Sequence, residues 1–272
     1  MENSIALETI VQQKNSSAKA NVYEFYKTLE QKYSFKDIPS NMCNITAKMR
    51  SILVDWLTSV HFHFHEKVSA TSLFLGIMIM DSACASGKIL VDRLNLQMVG
   101  VTSLMIAVKY HDSFALCPAD CAMLTAGAYT KEQILSMEIL ILEALEFQLL
   151  LPTCDFFLYY FRDMSGLDTK VFQFSLYIAH RTLLHSNVMK FPPSLIASSC
   201  LLTSLDRFTS EESQFMALKQ IQKICGHTRA NLKVCCDLIH KHLNSPIETT
   251  SKRKLEAAQK KFSFILEGMQ NC

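Results

Sequence analysis

The stretch MRSILVDWL, Met49 to Leu57, decides the fold class of this chain. Its apolar residues recur every three or four positions, so they fall on one stripe of a helix. The stripe is wide and carries the only tryptophan of the protein, Trp56, while Arg50 and Asp55 interrupt it. A helix this apolar either lies in the centre of a core or presents an apolar surface to a partner.

The composition extends this helical reading to the whole chain. A length of 272 residues suits one large or two medium domains. Only 7 Gly and 6 Pro accompany 49% hydrophobic residues, which is typical of helices joined by short loops. The net charge of +2 provides no general attraction to nucleic acid or to an acidic membrane. No run approaches the roughly 20 apolar residues of a membrane span, and the polar residues 1–20 do not resemble a signal peptide. We therefore expect an intracellular protein with no direct nucleic-acid or membrane contact.

The cysteines and histidines predict neither a metal site nor a cofactor. We interpret the ten cysteines as reduced thiols that act mostly as small core residues. Neither Cys117 with Cys121 nor the adjacent pair at 235–236 has zinc-ribbon spacing. His61 and His65 lie one helical turn apart, but no acidic or cysteine partner completes a known metal arrangement.

The sequence also lacks the motifs of common enzymes. It contains no glycine-rich phosphate loop, no Gly-x-Ser-x-Gly elbow and no His-Glu-x-x-His. A cysteine nucleophile stays open as an alternative, although no base partner is evident among ten thiols. We expect a protein that is not an enzyme.

Capping signals divide the chain into two groups of five helices. Asn95 and Thr153 are expected N-caps, and Thr130 with Gln133 and Thr209 with Glu212 form expected capping boxes. A short helix at 21–32 precedes the groups, with Val22, Phe25, Tyr26 and Leu29 on one side, and a basic helix at about Ser251–Glu267 follows them. The expected helices of the first group are Met49–Glu66, Thr71–Ala85, Leu96–Tyr110, Pro118–Leu124 and Glu132–Leu145, and those of the second are Asp155–Met164, Thr169–His185, Pro193–Asp206, Glu211–Cys225 and Arg229–Leu243.

This organisation predicts an all-α fold of two consecutive five-helix domains. We place an N-terminal segment at 1–44, the first domain at 45–151, the second at 152–245 and a C-terminal helix in 246–272. The break between the domains is Pro152, which follows three leucines and cannot continue a helix.

Four charges stand among apolar neighbours and predict two ion pairs. An unpaired charge in such surroundings costs several kcal/mol, so the group is usually paired, at a rim or used in binding. Lys109 and Glu138 would form one pair at an apolar rim, suited to holding backbone groups of a partner helix. Arg50 and Asp81 would form the second, since each interrupts an otherwise apolar helix. The alternative for each is a rim residue whose stem packs while its head reaches water.

These segments together resemble the cyclin family, most closely its mitotic A and B types. MRSILVDWL reads almost letter for letter like the opening helix of a cyclin box, and LQMVG at 96–100 resembles the LQLVG that starts the third helix. VKYHD at 108–112 is similar to the family's SKFEE. The match is strong over 45–153 and weaker over 154–245, where the helix order and FPPSLIA at 191–197 agree. The resemblance implies two cyclin-box domains.

The resemblance implies a regulatory subunit that binds and activates a cyclin-dependent protein kinase in mitotic cell-cycle control. It places Arg50 and Asp81 inside the box as a structural pair, and Lys109 and Glu138 on the kinase. The apolar side chains implied around the latter pair, of which we expect about half to be core, are Ile106, Tyr110, Leu142, Phe147, Leu149 and Phe25. Family membership implies a location in nucleus and cytoplasm.

A second site is implied for substrates and inhibitors that carry Arg-x-Leu docking motifs. The residues at the family's positions for this docking patch are Met49, Ile52, Leu53, Trp56, Leu96 and Gln97. Where the family has a glutamate for the arginine of the motif, this chain has Ser59, so weaker docking or a different preference is expected.

Other readings stay open. A cyclin-fold adaptor, or a module like transcription factor IIB, would not activate a kinase; the latter would call for a zinc ribbon and a strongly basic face. The basic residues at 252–254 (Lys, Arg, Lys) and 260–261 (Lys, Lys) fit a split nuclear-import signal, but we favour the solvated face of an amphipathic helix. The chain has no KEN tripeptide, no arginine precedes Arg50, and the Arg-x-x-Leu sequences at 50–53 and 181–184 lie in predicted helices, so mitotic-type degradation is not predicted.

Overall fold

The computed structural model describes residues 18–32, 45–64, 66–208, 211–244 and 254–270. Its regular elements are all helices, as the sequence predicts. The helices are α1 (18–32), α2 (Ala47–His63), α3 (Ala70–Ala85), α4 (Leu96–His111), α5 (Pro118–Leu124), α6 (Lys131–Ala144), α7 (Cys154–Ser165), α8 (Thr169–Thr182), α9 (Pro193–Phe208), α10 (Glu211–Cys225), α11 (Arg229–Leu243), α12 (Ala257–Lys261) and α13 (Ser263–Gln270).

Each group of five helices surrounds one central helix. In the first group, α2 to α6, helix α4 contacts all four others, and both α4 and α3, its most extensive neighbour, bury eleven of their sixteen residues. In the second, α7 to α11, helix α9 contacts all four others and buries thirteen of its sixteen residues. The burial of α3 was predicted because that helix is apolar on all sides, but the helix that contacts all the others is α4. The central place of α9 was not predicted, because its buried serines and threonines lower the hydrophobicity of the helix.

Two glycines allow the close packing in the first group. A Cβ atom built on Gly76 of α3 would lie 3.0 Å from the Cα atom of Leu104 in α4. A Cβ on Gly100 of α4 would lie 2.9 Å from Leu53 Cδ2 in α2. Helices α2, α3 and α4 therefore meet at positions where a side chain would have no room.

Of the expected caps that fall on described residues, one capping box forms and two N-cap bonds do not. Thr130 and Gln133 form the predicted capping box of α6. Asn95 lies at the N-cap of α4 without capping it, because its side chain instead bonds Asp92 N–H and Leu90 C=O in the preceding loop. Thr153 likewise lies at the N-cap of α7 without a side-chain cap bond. Thr209, of the other predicted box, lies outside the described residues.

The terminal helices differ from the expectation. Helix α1 turns Tyr23 and Glu30 inward, whereas Val22 and Phe25 are exposed. It packs on the second group, where the Tyr23 ring stacks on Tyr160 with centroids 4.3 Å apart. The single C-terminal helix predicted at 251–267 is two short helices, α12 and α13, with a break at Phe262; residues 251–253 lie outside the described part.

Candidate functional site: a charged rim and an apolar cleft

The structure brings Lys109 and Glu138 together at an exposed edge of the first helix group. Lys109 ends α4 and Glu138 lies in the middle of α6, and the Lys109 Nζ is 2.9 and 3.0 Å from the two carboxylate oxygens of Glu138. Both side chains keep part of their surface in solvent. The ammonium therefore retains donors, and the carboxylate acceptors, for a further partner.

Apolar side chains surround this pair, and we name the whole surface the charged rim. Tyr110 is 51% exposed and Phe147 is 67% exposed, while Leu142 and Leu149 are half-buried. Phe25 of α1 is 50% exposed, and its ring contacts that of Tyr26 at 5.8 Å between centroids. Large exposed aromatic side chains in one area are typical of a surface that a partner covers.

One residue of the predicted set does not belong to the rim. Ile106 is only 3% exposed and packs in the core, because it lies one turn further inside α4 than Tyr110, which stands at the exposed C-terminal end of the helix. It cannot offer area to a partner, and its assignment as a contact residue is corrected to core.

The backbone at the rim is strained next to its most exposed aromatic side chain. Glu146 and Phe147 follow α6 with φ values of 52° and 57°. Non-glycine residues rarely adopt the left-handed region, and such strain clusters at functional sites. The Phe147 N–H donates to Leu142 C=O at 2.9 Å, which holds the turn and directs Phe147 outward.

The predicted docking patch forms a cleft beside α2. All six predicted residues, Met49, Ile52, Leu53, Trp56, Leu96 and Gln97, line one cavity of about 540 Å³ between α2 and the start of α4. We name it the apolar cleft. Leu53 and Leu96 are buried at its floor, Ile52 is exposed, and the others are half-buried.

Ser59, predicted at the position where the family has a glutamate, also lines the cleft, and sequence reasoning missed three further residues: Asp55, Arg93 and Leu255. Leu255 lies 192 positions after the end of α2 at His63, so no local pattern could have found it. The C-terminal segment is held there because Asp55 Oδ1 accepts a hydrogen bond from Ala257 N–H at 2.9 Å.

The second ion pair is internal and reaches beyond its own helix group. Arg50 bonds both Asp81 carboxylate oxygens, with Nε–Oδ1 at 2.8 Å and Nη2–Oδ2 at 2.6 Å. Its Nη1 donates to Leu183 C=O at 2.8 Å, after α8. Ser51 Oγ donates to Leu184 C=O at 2.6 Å. Arg50 and Ser51 of the first helix group thus bind the chain that follows α8 in the second group, and the bidentate bond to Asp81 fixes the position of the guanidinium.

A buried lysine joins the C-terminal segment to both groups. Lys261 Nζ lies 3.3 Å from His61 Nδ1 of α2 and 2.9 Å from His180 Nε2 of α8. Since an ammonium only donates, both imidazole nitrogens accept. Burial lowers the pKa of Lys261 to about 8. Lys261 therefore does not belong to the solvated face predicted for it, whereas Lys260 is exposed; residues 252 and 253 lie outside the described part.

His61 and six of the eight described cysteines are buried core groups, whereas Cys117 is exposed. His61 Nε2 donates to Ser69 C=O at 2.8 Å, and His65 lies outside the described residues. Within the described ranges, no three His, Cys, Asp or Glu side chains converge as a metal site requires. The eight described cysteines are free thiols. Burial raises the pKa of Cys84, Cys121 and Cys235 to about 12, so these thiols stay protonated and unreactive at neutral pH. None of the described helices has the length and hydrophobicity to cross a membrane.

Comparison with known families identifies the fold. The family model "Cyclin, N-terminal domain" matches residues 21–150, and "Cyclin, C-terminal domain" matches 152–266. The chain belongs to the cyclin family. This confirms the resemblance and the prediction of two cyclin boxes, which are the two helix groups described above. Cyclins are regulatory subunits, and the prediction of a non-enzymatic chain agrees with that family assignment.

Curated relatives include mitotic cyclins. The chain is 35% identical over 185 residues to the G2/mitotic-specific cyclin-B of Spisula solidissima, covering 68% of this chain and 42% of that protein. It is 30% identical over 248 residues to the G2/mitotic-specific cyclin-1 of Antirrhinum majus, covering 91% and 50%. The chain thus spans half or less of the length of these relatives.

Solved structures share the fold of this cyclin. A viral cyclin from herpesvirus saimiri superposes with a TM-score of 0.69 at 18% identity, covering 81% of this chain and 97% of that one. A chain of the CAK complex of Chaetomium thermophilum bound to ATP-gamma-S gives a TM-score of 0.50 at 14% identity, covering 95% and 79%.

Proposed function

We propose that this cyclin is a regulatory subunit that binds and activates a cyclin-dependent protein kinase and acts in mitotic cell-cycle control. The observation that carries the proposal is the Lys109–Glu138 pair, held at the surface by two different helices and flanked by exposed Tyr110 and Phe147. A pair with only a structural role would not require exposed aromatic neighbours. The names of the mitotic relatives support the choice of cell-cycle role.

The rim has the chemistry to hold the end of a partner helix. The Lys109 ammonium donates to carbonyl oxygens that a helix leaves unpaired at its C-terminus, and the Glu138 carboxylate accepts from free N–H groups nearby. Covering an exposed side chain such as Phe147 contributes about 2 kcal/mol of burial free energy. In the proposed complex these contacts move the mobile helix of the kinase inward, which completes the Lys–Glu ion pair that positions ATP.

Kinase capture tests the proposal. The purified protein serves as bait in lysate of its own organism, and the bound fraction is assayed for histone phosphorylation. We expect kinase activity with the wild type and at least a tenfold loss with Lys109→Ala plus Glu138→Ala, with unchanged helix content and melting. Absence of kinase with folded wild-type protein would contradict the proposal and favour the adaptor alternative.

A charge swap serves as the matched control. Lys109→Glu combined with Glu138→Lys preserves the ion pair but exchanges the donor and the acceptor that a partner would meet. If the pair only stabilises the box, the swap binds kinase as the wild type does. We expect the swap to fold normally and still fail to bind.

We further propose that the apolar cleft recruits substrates or inhibitors through short peptides with a leucine anchor. Its floor of Leu53 and Leu96 beside Trp56 supports an apolar anchor. The lining of Ser59 and Arg93, with Asp55 already bonded to Ala257 N–H, supports a weaker demand for a cationic residue than the family pattern implies.

Substrate competition tests the cleft. Trp56→Ala is expected to reduce phosphorylation of substrates with a docking motif about tenfold while leaving short peptides that lack one within about twofold, since an aromatic anchor is worth at least about 1.4 kcal/mol. Ser59→Glu, which restores an acidic group, is expected to strengthen docking of an Arg-x-Leu peptide. Equal effects of Trp56→Ala on both substrate types would argue against docking in this cleft.

A further inference from the structure

A small pocket beside the charged rim contains a buried carboxylate with an unused oxygen. The pocket has a volume of about 190 Å³ and lies between α1, the end of α4, the linker at 149–153 and the start of α7. It is larger than the cavity of about 150 Å³ that admits a benzene ring in an engineered protein, so it has room for a side chain. We name it the tyrosine pocket, after Tyr26, Tyr110 and Tyr159 in its wall.

Asp155 is the acidic group of the pocket. Its side chain is 0% exposed. Its Oδ2 accepts from Thr71 Oγ1 at 2.6 Å, whereas Oδ1 has no hydrogen-bond partner among the described residues. Burial raises the pKa of Asp155, and the nearby hydroxyls of Thr71 and Thr153 partly offset that rise. A buried acceptor left unpaired costs free energy that a donor from outside would recover.

The other walls of the pocket favour a cation. Besides the three tyrosines, Phe156 lines it, and its ring stacks on that of Tyr26 with centroids 4.0 Å apart. Aromatic faces attract a desolvated cation through their quadrupole, with Tyr among the suitable rings. A carboxylate at the base with aromatic rings at the sides is the arrangement that recognises guanidinium or ammonium groups. His111, at the end of α4, lines the same pocket.

The pocket is continuous with the charged rim. Tyr110 follows Lys109 directly and is 51% exposed, and Leu149 belongs to both surfaces. A partner that covers Lys109 and Glu138 would therefore also cover the mouth of the pocket. The occupant consistent with the charge of Asp155 is a long basic side chain of that partner.

We infer that the tyrosine pocket receives an arginine or lysine side chain of the protein that binds the charged rim, with Asp155 as its counter-ion. The inference rests on the proposed kinase-binding function and deepens it. It adds a contact between Asp155 and a basic side chain to the contacts that Lys109 and Glu138 make with a helix of the partner. Asp155 would then determine partner specificity: partners without a basic residue at this place would leave a buried carboxylate beneath them.

A small cation tests the pocket without any kinase. The probe is n-butylguanidinium, with n-butylurea as its uncharged match, titrated at pH 8 where imidazole is neutral and monitored by backbone amide NMR shifts. The expected result is saturable shifts around Thr71, His111 and Thr153 with the cation and none with the urea. Asp155→Asn, which keeps an acceptor for Thr71, is expected to weaken binding at least tenfold while melting at an unchanged or higher temperature. Tyr110→Ala, which alters only an exposed wall, is expected to weaken it several-fold.

The matched control is Asp163→Asn, on the same helix but in an exposed pair with Lys19. It should bind the probe as the wild type does. Equal affinity of the wild type and Asp155→Asn for the probe, or no saturable shift in the wild type, would overturn the inference.

Kinase affinity separates this inference from the proposed function. If the wild type captures kinase, Asp155→Asn is expected to lower the affinity at least tenfold and Asp163→Asn to leave it unchanged. Capture that is equal for Asp155→Asn would overturn the basic contact while the proposed function stands. Absence of capture by the wild type would overturn the proposed function and the partner contact together, whereas the probe titration would still report on the pocket.

Discussion

At the scale of single residues, this cyclin uses similar ion pairs for different purposes according to their burial. Arg50 and Asp81 are paired in a buried place where the guanidinium has a third partner, Leu183 C=O. Lys109 and Glu138 are paired at the surface, where solvent screens the pair and little stability results. Arginine suits the first place because its planar fork bonds two carboxylate oxygens, and lysine suits the second because it is flexible.

We predict that Arg50→Met destabilises the protein by about 3 kcal/mol. The substitution retains most of the apolar stem but leaves the Asp81 carboxylate and the Leu183 carbonyl without their donors, and breaking a buried pair costs about 3–5 kcal/mol. Partial solvent access of Asp81 keeps the loss at the lower end. Urea unfolding measures it. Lys19→Met, which removes an exposed pair with Asp163, is the control and should change stability by less than about 0.5 kcal/mol. Losses of similar size would contradict this assignment.

At the scale of elements, the approach of α3 to α4 depends on the absence of a side chain at Gly76. In an isolated helix, replacing Gly by Ala stabilises by about 0.5–1 kcal/mol. Here the added methyl would lie 3.0 Å from the Cα atom of Leu104, and a backbone atom cannot move away by a rotamer change as the end of a side chain can. Packing therefore overrides helix propensity at this crossing.

We predict that Gly76→Ala lowers the unfolding free energy by about 1–3 kcal/mol, the usual cost of overpacking a core. Gly100→Ala is the comparison, since its new methyl would meet the Leu53 side chain, whose end can move toward the apolar cleft. The loss there should be smaller. Chemical denaturation of both variants gives the two values, and a Gly76→Ala protein as stable as the wild type would refute the steric account.

At the scale of the whole molecule, the two ends of the described chain tie the boxes together. Helix α1 packs on the second box, where Glu30 accepts from Ser194 N–H at 2.6 Å and from its hydroxyl at 2.7 Å. The C-terminal segment contacts α2 and α8 through Lys261, and its Ala257 N–H bonds Asp55. The apolar cleft and the tyrosine pocket both depend on these long-range contacts.

Lys261 predicts a pH dependence of stability. Its pKa is about 8 in the folded protein and 10.5 in the unfolded chain, so between these values the unfolded state binds more protons and stability rises with pH. The cost of burying the charge is complete below pH 8 and disappears toward pH 10.5. Relative to Lys261→Met, the wild type should therefore gain stability from pH 8 to 10, by up to on the order of 3 kcal/mol.

Denaturant midpoints across this pH range provide the measurement. The difference between the two proteins cancels the tyrosines and thiols that titrate in both. Lys260→Met, at the exposed neighbouring position, should follow the wild type. Parallel profiles for the wild type and Lys261→Met would show that burial does not perturb Lys261.

Local sequence was sufficient for the order of the helices and for much of the two surfaces. The bounds of α5, α10 and α11 agree with prediction to the residue, because Pro118, Gly226 and Thr228 mark them clearly. All six predicted cleft residues line one cavity, since four of them share a face of α2 and the other two open α4. The pairing of Lys109 with Glu138, which lie 29 positions apart, was predicted because each charge stands alone among apolar neighbours.

What only the tertiary structure decided is the inward or outward direction of particular side chains and the contacts between distant segments. Ile106 and Tyr110 lie one turn apart on the same side of α4, but Ile106 is buried within the helix whereas Tyr110, at its C-terminal end, is exposed. The burial of Glu30, Asp155 and Lys261 has no sequence signature, because each depends on a partner that lies far away in the chain. Periodicity determines which residues share a face, whereas packing against other elements determines what that face meets.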